Sequence, residues 1–546
     1  MKIVITLYLF IVLFISASLG QGLTLFVDPA SKSVDPKCGA SASNACSSFI
    51  NAYSSYASQT DGTNSTALSL ELMDGTYTAK DNAAMSDSIY IHSLSVYSSS
   101  KNKDNCIIDG ANMKYTFFYY QQGSTIAQSL SVANITFTNS TAILVSNVNL
   151  SVDFTGCLFN NSQPTFLGQI ILQANPINPA PQFNLTECTF TGIQLQGSYM
   201  VQVTNYKVNI LHTIVTGVSG GSNCFYFTLC TVDAVYLTIN NSSTTNSPIG
   251  AVTSNVTISA GNFNNNYGSW AGVLRATNIG GGQPYYTVVQ LSTFINNTTP
   301  DNGGAIVLSP TTAKNYILTS TFTNNTVTKN NGQGGAVFVG STNVEINGCT
   351  FTSNSAPNNG LGGAIYVGSN SNVLVTDTSL IANTAYFGAA IYTFSSKIQL
   401  SSDKFANNSA TNGGSDVYCY TSGITFVGYI SGLNSSLYSC PQNDCTFVNA
   451  PSKFQCGANN SSSSSDSPSK KNKGMDDQEK KIIIGVVCGG TGIIIIMIIA
   501  AICYKRHRHH HHHHHHGHHD HHGGHHHHHH GGHHHHHSES SPLVYH

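Results

Sequence analysis

The chain is 546 residues long, yet only 8% of them are charged and the formal net charge is -2, against about 25% charged residues in ordinary soluble domains. One arginine, Arg275, and few lysines lie between residues 22 and 465, which excludes the basic footprint of a nucleic-acid binder. Ser, Thr, Asn and Gly supply the polarity instead. Such a length suggests several domains or a solenoid, which grows repeat by repeat around a core of constant width.

Residues 1–20 predict a secretory signal peptide: Lys2, an apolar run from Ile3 to Ile15, then Ser18-Leu19-Gly20 as a small-residue cleavage site. Residues 21–110 read as an N-terminal cap with the first coils of a β-solenoid. Phe49, Ala52, Tyr53 and Tyr56 fall on one face of a helix predicted over 45–57, and open solenoid ends need such a cover. Leu68, Leu70 and Leu72 alternate as in a half-buried strand before Gly75, and 89–97 and 106–110 repeat the pattern.

From 111 to 456 the sequence predicts a parallel β-helix. Apolar alternation followed by Phe and a polar turn marks coils at Phe137, Phe159, Phe190 and Phe263, whereas 195–250 shows strands without a secure repeat. The repeat is sharpest over 294–418. There Phe-x-x-Asn precedes Gly-Gly-Ala-Ile: Phe294 to Asn297 with Gly303 to Ile306, Phe322 to Asn325 with Gly334 to Val337, and Phe351 to Asn354 with Gly362 to Ile365. Worn copies begin at Leu380 and Phe405. First residues are 28, 29, 29 and 25 apart, a period that marks solenoids, propellers or arrays. Identical residues at one repeat position favour stacked coils about 4.8 Å apart. Phe then fills the interior, Asn297, Asn325, Asn354, Asn383 and Asn408 form an amide ladder, and the glycines allow backbone angles that other residues resist. Strand alternation places Phe338, Tyr366, Tyr392 and Tyr418 on the face opposite Ile306, Val337, Ile365 and Ile391. If the Ile column faces inward, those four rings are an outward stripe suited to glycan or protein ligands.

The paired phrases resemble the repeats of the polymorphic membrane proteins, surface adhesins of intracellular bacteria, within the pectin-lyase-like right-handed β-helix superfamily. The resemblance implies an all-β, right-handed parallel β-helix and a role in adhesion. It stops at the C-terminus, where those adhesins carry an outer-membrane barrel and this chain has one apolar segment and a histidine tract.

Residues 457–481 read as a Ser/Asn/Lys-rich stalk. Residues 482–504 are 23 without a charge, long enough for one transmembrane helix, with Gly485 and Gly489 at a spacing that allows close helix–helix approach and a homodimer. Residues 505–546 form a disordered, cytoplasmic, His-rich low-complexity tail. His509, His510, His511, His512, His513, His514, His515, His516, His525, His526, His527, His528, His529 and His530 are candidate ligands for Zn, Ni or Cu, and no other cofactor is indicated. With the signal peptide, the span predicts a single-pass type I protein of the plasma membrane or an endomembrane, its ectodomain extracellular or lumenal.

Sixteen Asn-x-Ser/Thr acceptors precede the span: Asn64, Asn134, Asn139, Asn149, Asn160, Asn184, Asn240, Asn241, Asn255, Asn296, Asn297, Asn324, Asn407, Asn434, Asn459 and Asn460, predicting a glycosylated surface. Twelve cysteines share that side, as in oxidising compartments. Close spacing suggests the bridges Cys38–Cys46, Cys224–Cys230 and Cys440–Cys445, and stacking suggests Cys157–Cys188. Hydrolysis of a glycosidic bond needs two suitably spaced carboxyls, and no such constellation is legible. His92 and His212 lie in strand-like runs and read as packed rather than catalytic. The sequence therefore favours adhesion or ligand recognition over an inert surface coat, and both over a polysaccharide lyase or hydrolase.

Overall fold

The computed structural model describes residues 22–60, 67–78, 91, 93–110, 116–120, 128–163, 168–176, 179–278, 284–311, 313–433, 438–439 and 445–450. The predicted signal peptide, stalk, span and tail lie outside the described residues, as do His92, Asn64, Asn434, Asn459 and Asn460. Among the described residues no helix is long and apolar enough to cross a membrane.

The chain winds as an all-β, right-handed parallel solenoid of about 13 turns. Each regular coil passes through four sheets. One coil runs from Asn343–Asn347 in the first sheet to Thr350–Thr352 in the second, Ser355–Leu361 in the third and Ile365–Val367 in the fourth, then re-enters the first at Asn372–Thr376. The sheets contain 16, 13, 9 and 13 strands in that order. The first is continuous from Leu23–Val27 to Thr446–Val448, so no break in pairing separates the first coils from the later ones.

Period-two patterning sets which residues enter the core. In Asn343–Asn347, Val344 and Ile346 are buried and their neighbours face out. From Leu158–Asn160 onward, one residue per strand of the second sheet points in. Phe137, Phe159 and Phe190 pair in register, as do Phe263, Phe294, Phe322 and Phe351. Successive rings stack nearly parallel, with centroids 4.8 Å apart for Phe294–Phe322 and 4.6 Å for Phe322–Phe351. The segment 195–250, where no repeat is secure in the sequence, holds ordinary coils in which Val215 and Ile239 continue the column. Any apolar side chain can fill this slot, so phenylalanine alone is an incomplete marker.

The corners explain the Asn-Asn doublets. Asn296, Asn324 and Asn407 adopt left-handed angles, with φ of 54°, 55° and 55°, which asparagine tolerates better than most residues. The next asparagine turns inward. Asn266, Asn297, Asn325, Asn354, Asn383 and Asn408 form a buried ladder in which each Nδ2 donates to the next Oδ1 at 2.9–3.0 Å. Each Oδ1 from Asn297 onward also accepts the preceding asparagine's backbone N–H. Each Nδ2 donates back to a carbonyl in the preceding coil, as Asn354 does to Phe322. The buried amide is thereby fully satisfied, the condition under which a polar group stabilises an interior. Asn408 closes the ladder by donating to the buried carboxylate of Asp416 at 2.9 Å.

The glycine pair has two separate causes. Gly362 has φ of 71°. A Cβ on Gly363 would lie 2.4 Å from the carbonyl oxygens of Thr384 and Ala389, so close backbone approach excludes a side chain there.

The first coil is covered by a helix at Phe49–Gln59. It starts later than predicted because Ser48 is the N-cap, its side chain accepting the Asn51 N–H. Phe49 stacks on Tyr77 at 5.5 Å, and the Tyr77 hydroxyl donates to Val27 O and Met73 O. The Cys38–Cys46 bridge forms as predicted. The other three pairings differ. Cys445 joins Cys419 rather than Cys440, and Cys224 and Cys230 are buried free thiols. Cys157 and Cys188 are stacked neighbours without a bridge; their thiols donate to Val132 O and Phe154 O, and burial, reinforced by Cys188, raises Cys157 well above the usual thiol range.

Candidate ligand-recognition face

The fourth sheet carries an outward column whose register runs Tyr226, Gly250, Arg275, Val307, Phe338, Tyr366, Tyr392 and Tyr418. Ile306, Val337, Ile365 and Ile391 lie inside, buried in the main core, as alternation requires. The predicted stripe therefore does lie outside the coil interior, with rings stacked 5.1–5.4 Å apart from Phe338 to Tyr418. It is not an open surface. Tyr366, Tyr392 and Tyr418 are only 6%, 8% and 5% exposed. The third-sheet strands Ser355–Leu361 and Thr384–Phe387 carry Leu361 and Phe387 over the rings, enclosing a small apolar cluster with Phe338, Phe394 and Tyr420. Burial raises the phenols of Tyr366 and Tyr392 above their ordinary value. Of the four residues named as a ligand stripe, Tyr366, Tyr392 and Tyr418 are thus packing residues and Phe338 is a partly buried neighbour, because the segments between the two repeated phrases fold back over them.

Toward the N-terminus of the same column the cover changes. Residues 269–273 join Tyr267–Gly268 to Leu274–Thr277, and the loop holds Trp270, the chain's one tryptophan, with 46% of its surface exposed. The Arg275 guanidinium carbon lies 4.0 Å from the centre of that indole. Tyr226 stacks on Tyr199 at 4.7 Å, and its ring spreads across Gly250, where a Cβ would meet Tyr226 Cδ2 at 2.9 Å. Asp301, on the following coil, forms an ion pair with Lys329 of the next. Half-burial lowers the Arg275 pKa, while Asp301 and then Tyr226 raise it; a guanidinium with these neighbours stays charged.

This is a half-open face of three aromatic rings with a guanidinium, an ammonium and a carboxylate. Amphipathic rings offer large contact area at low entropic cost, and the fixed guanidinium fork donates to planar anions and hydroxyl clusters. Sequence reasoning noted Arg275 as isolated and passed over Trp270. The available signal was that the one tryptophan and the one arginine of 22–465 stand five residues apart.

The remaining predicted residues divide by environment. Asn297 is fully buried in the ladder, so in the folded coil it is not a surface acceptor. Asn241, Asn296, Asn324 and Asn407 are exposed, whereas Asn134, Asn139, Asn149, Asn160, Asn184, Asn240 and Asn255 are partly buried. His212 is not packed inside: it occupies an exposed corner with φ of 49° and stacks on Tyr236 at 4.5 Å. Gly485, Gly489 and the tail histidines lie outside the described residues. Among the described residues, no group of three His, Cys, Asp or Glu side chains could hold a metal ion.

No family model matches the sequence, and no curated protein matches it. Among solved structures, the chain is similar to the catalytic domain of a GH87 α-1,3-glucanase in complex with nigerose, at 11% identity and a TM-score of 0.33, covering 77% of this chain and 69% of that one. It is also similar to the A-module of mannuronan C-5 epimerase AlgE6 of Azotobacter vinelandii (11%, TM-score 0.25, 70% and 91% covered). A third is tailspike protein 3 of bacteriophage CBA120 (11%, TM-score 0.28, 74% and 59% covered). Likenesses at this level carry no activity across. The class, a parallel β-solenoid, rests on the strand order and register of this chain itself.

Proposed function

We propose that this protein is a surface glycoprotein that recognises a glycan through the outer face of its fourth sheet, without catalysing a reaction on it. The observation that carries the reading is the Trp270–Arg275 pair beside the stacked Tyr199 and Tyr226. Flat apolar rings suit the C–H faces of sugar rings, and Arg275 supplies donors to hydroxyls or carboxylates. A catalytic reading would need two free carboxyls a fixed distance apart; the carboxylate at this face, Asp301, is engaged by Lys329. The surface location rests on the predicted signal peptide and span, and the adhesin reading on the repeat resemblance.

Cells displaying the full chain, Trp270→Ala and Arg275→Ala at matched levels should be compared for binding to an array of immobilised neutral and acidic glycans. The two variants should lose most of the binding shown by the parent. Undiminished binding by both variants overturns the site. A second reading, a surface coat without a specific ligand, draws support from the enclosure of Tyr366, Tyr392 and Tyr418, and absence of parental binding to any glycan would favour it.

A further inference from the structure

The sixteen glycosylation acceptors are not equivalent once the coil is formed. The corner between the second and third sheets imposes a fixed order on three successive residues: a left-handed residue facing out, a ladder residue facing in, and the first residue of a third-sheet strand. At Asn296 the order is Asn296, Asn297, Thr298, where Thr298–Thr299 is the strand. At Asn324 it is Asn324, Asn325, Thr326, and at Asn407 it is Asn407, Asn408, Ser409. Asn241 has φ of 52°, with Ser242 in the ladder place and Ser243 opening the strand. Asparagine is favoured at the corner because it tolerates φ > 0, and Ser or Thr suits the short strand that follows. Corner chemistry and the acceptor motif therefore coincide.

We propose that the N-glycans of the folded solenoid are carried by Asn241, Asn296, Asn324 and Asn407, in one row along this corner. The proposal rests on the secretory route assumed above. All four side chains are exposed, and coils about 4.8 Å apart set the spacing of the row. Other described acceptors are buried, partly buried or have the side-chain nitrogen committed. The Asn297 Nδ2 donates to Asn325 Oδ1 and to Phe263 O inside the core. Asn139 shares the left-handed angle, with φ of 53°, but is only partly exposed and its Nδ2 donates to Asp109 at 3.0 Å, while Asn184 lies within the strand Gln182–Thr186 and is partly buried. A glycan on a ladder nitrogen would remove a donor that the buried column requires, so a chain carrying one does not complete the coil.

Overlapping acceptors provide a discriminating experiment. Thr298→Ala destroys the acceptor of Asn296 but leaves Asn297-x-Thr299 intact, while Thr299→Ala does the reverse. The full chain and both variants are produced in a eukaryotic secretory host, enzymatically deglycosylated in heavy-oxygen water, and mapped by site-resolved mass spectrometry. The expected result is high occupancy at the four corner residues, loss of the glycan from this peptide in Thr298→Ala, and its retention on Asn296 in Thr299→Ala. A glycan on Asn297 in secreted, folded chain overturns the proposal. So does occupancy no higher at the four proposed residues than at Asn139 and Asn184. Absence of glycan from every acceptor overturns it together with the secretory reading, which separates the two failures.

Discussion

Replacing Asn354 by alanine tests whether the ladder or the phenylalanine stack holds the coils in register. The substitution deletes four hydrogen bonds at once. Asn325 loses the acceptor of both its Nδ2 and its backbone N–H, while Phe322 O and Asn383 Oδ1 each lose a donor. Asn325 and Asn354 are both fully buried, so water cannot replace the partners without opening the coil. An orphaned buried polar group costs about 1–3 kcal/mol. Asn383 Oδ1 keeps one partner, the Asn354 backbone N–H, which leaves the two donors on Asn325 as the dominant loss. The expected destabilisation is therefore about 3–5 kcal/mol. Leucine should not rescue it, because an apolar side chain leaves the same donors unpaired. Thermal unfolding gives the overall change, and hydrogen exchange should localise the opening to the coils flanking residue 354, since solenoid repeats interact mainly with their neighbours. A loss below about 1 kcal/mol, the net value of one ordinary hydrogen bond, would refute the reasoning and assign coil register to the apolar stack.

Phe322→Ala removes a fully buried ring stacked on both sides and should cost about 3–5 kcal/mol in urea unfolding. Tyr366→Ser should lower the melting temperature and leave glycan binding unchanged in the folded fraction, because the ring sits in the enclosed cluster; weaker binding without a stability change would restore the predicted stripe. Asp403 ends a second buried polar column, its Oδ1 accepting the Thr378 N–H and its Oδ2 the Ser401 N–H. Burial pushes its carboxyl up to about 7, against those two amides and with a smaller upward push from Asp377. The folded state thus holds a proton that the unfolded state has released, so this stability contribution is full below the ordinary aspartate pKa near 4 and is lost as pH rises to about 7. Asp403→Asn should flatten the stability profile over that window, measured as denaturant midpoints from pH 4 to 8; an unchanged slope would remove Asp403 as its source. Non-reducing peptide mapping should recover Cys419 and Cys445 in one disulfide-linked fragment.

The repeat was legible wherever one residue type served one physical role. Phenylalanine in the interior, asparagine in the ladder and glycine at the tight approach recur because neighbouring coils impose the same constraint each time. Legibility failed where a role accepts several residues. Val215 and Ile239 fill the phenylalanine slot, Ser242 lends its backbone N–H to the Asn266 amide, and the coils at 195–250 therefore carry no visible phrase. It also failed for pairings across coils. Cys445 reaches Cys419, a sequence separation of 26, because one turn of the solenoid brings them together, whereas Cys440 is merely near in sequence.

The sequence by itself determined the class of architecture, the stacked columns and the placing of Phe338–Tyr418 opposite the Ile column, because period-two alternation and a fixed repeat leave one arrangement in which identical residues stack. Only the tertiary structure decided which column faces outward and which outward residues are reachable. Third-sheet strands of unequal length do this: Ser355–Leu361 and Thr384–Phe387 reach over Tyr366, Tyr392 and Tyr418, whereas the short Tyr267–Gly268 leaves Trp270 beside Arg275 half-open. Alternation within a strand separates the two faces, but what covers the outer one depends on the variable segments between the repeated phrases.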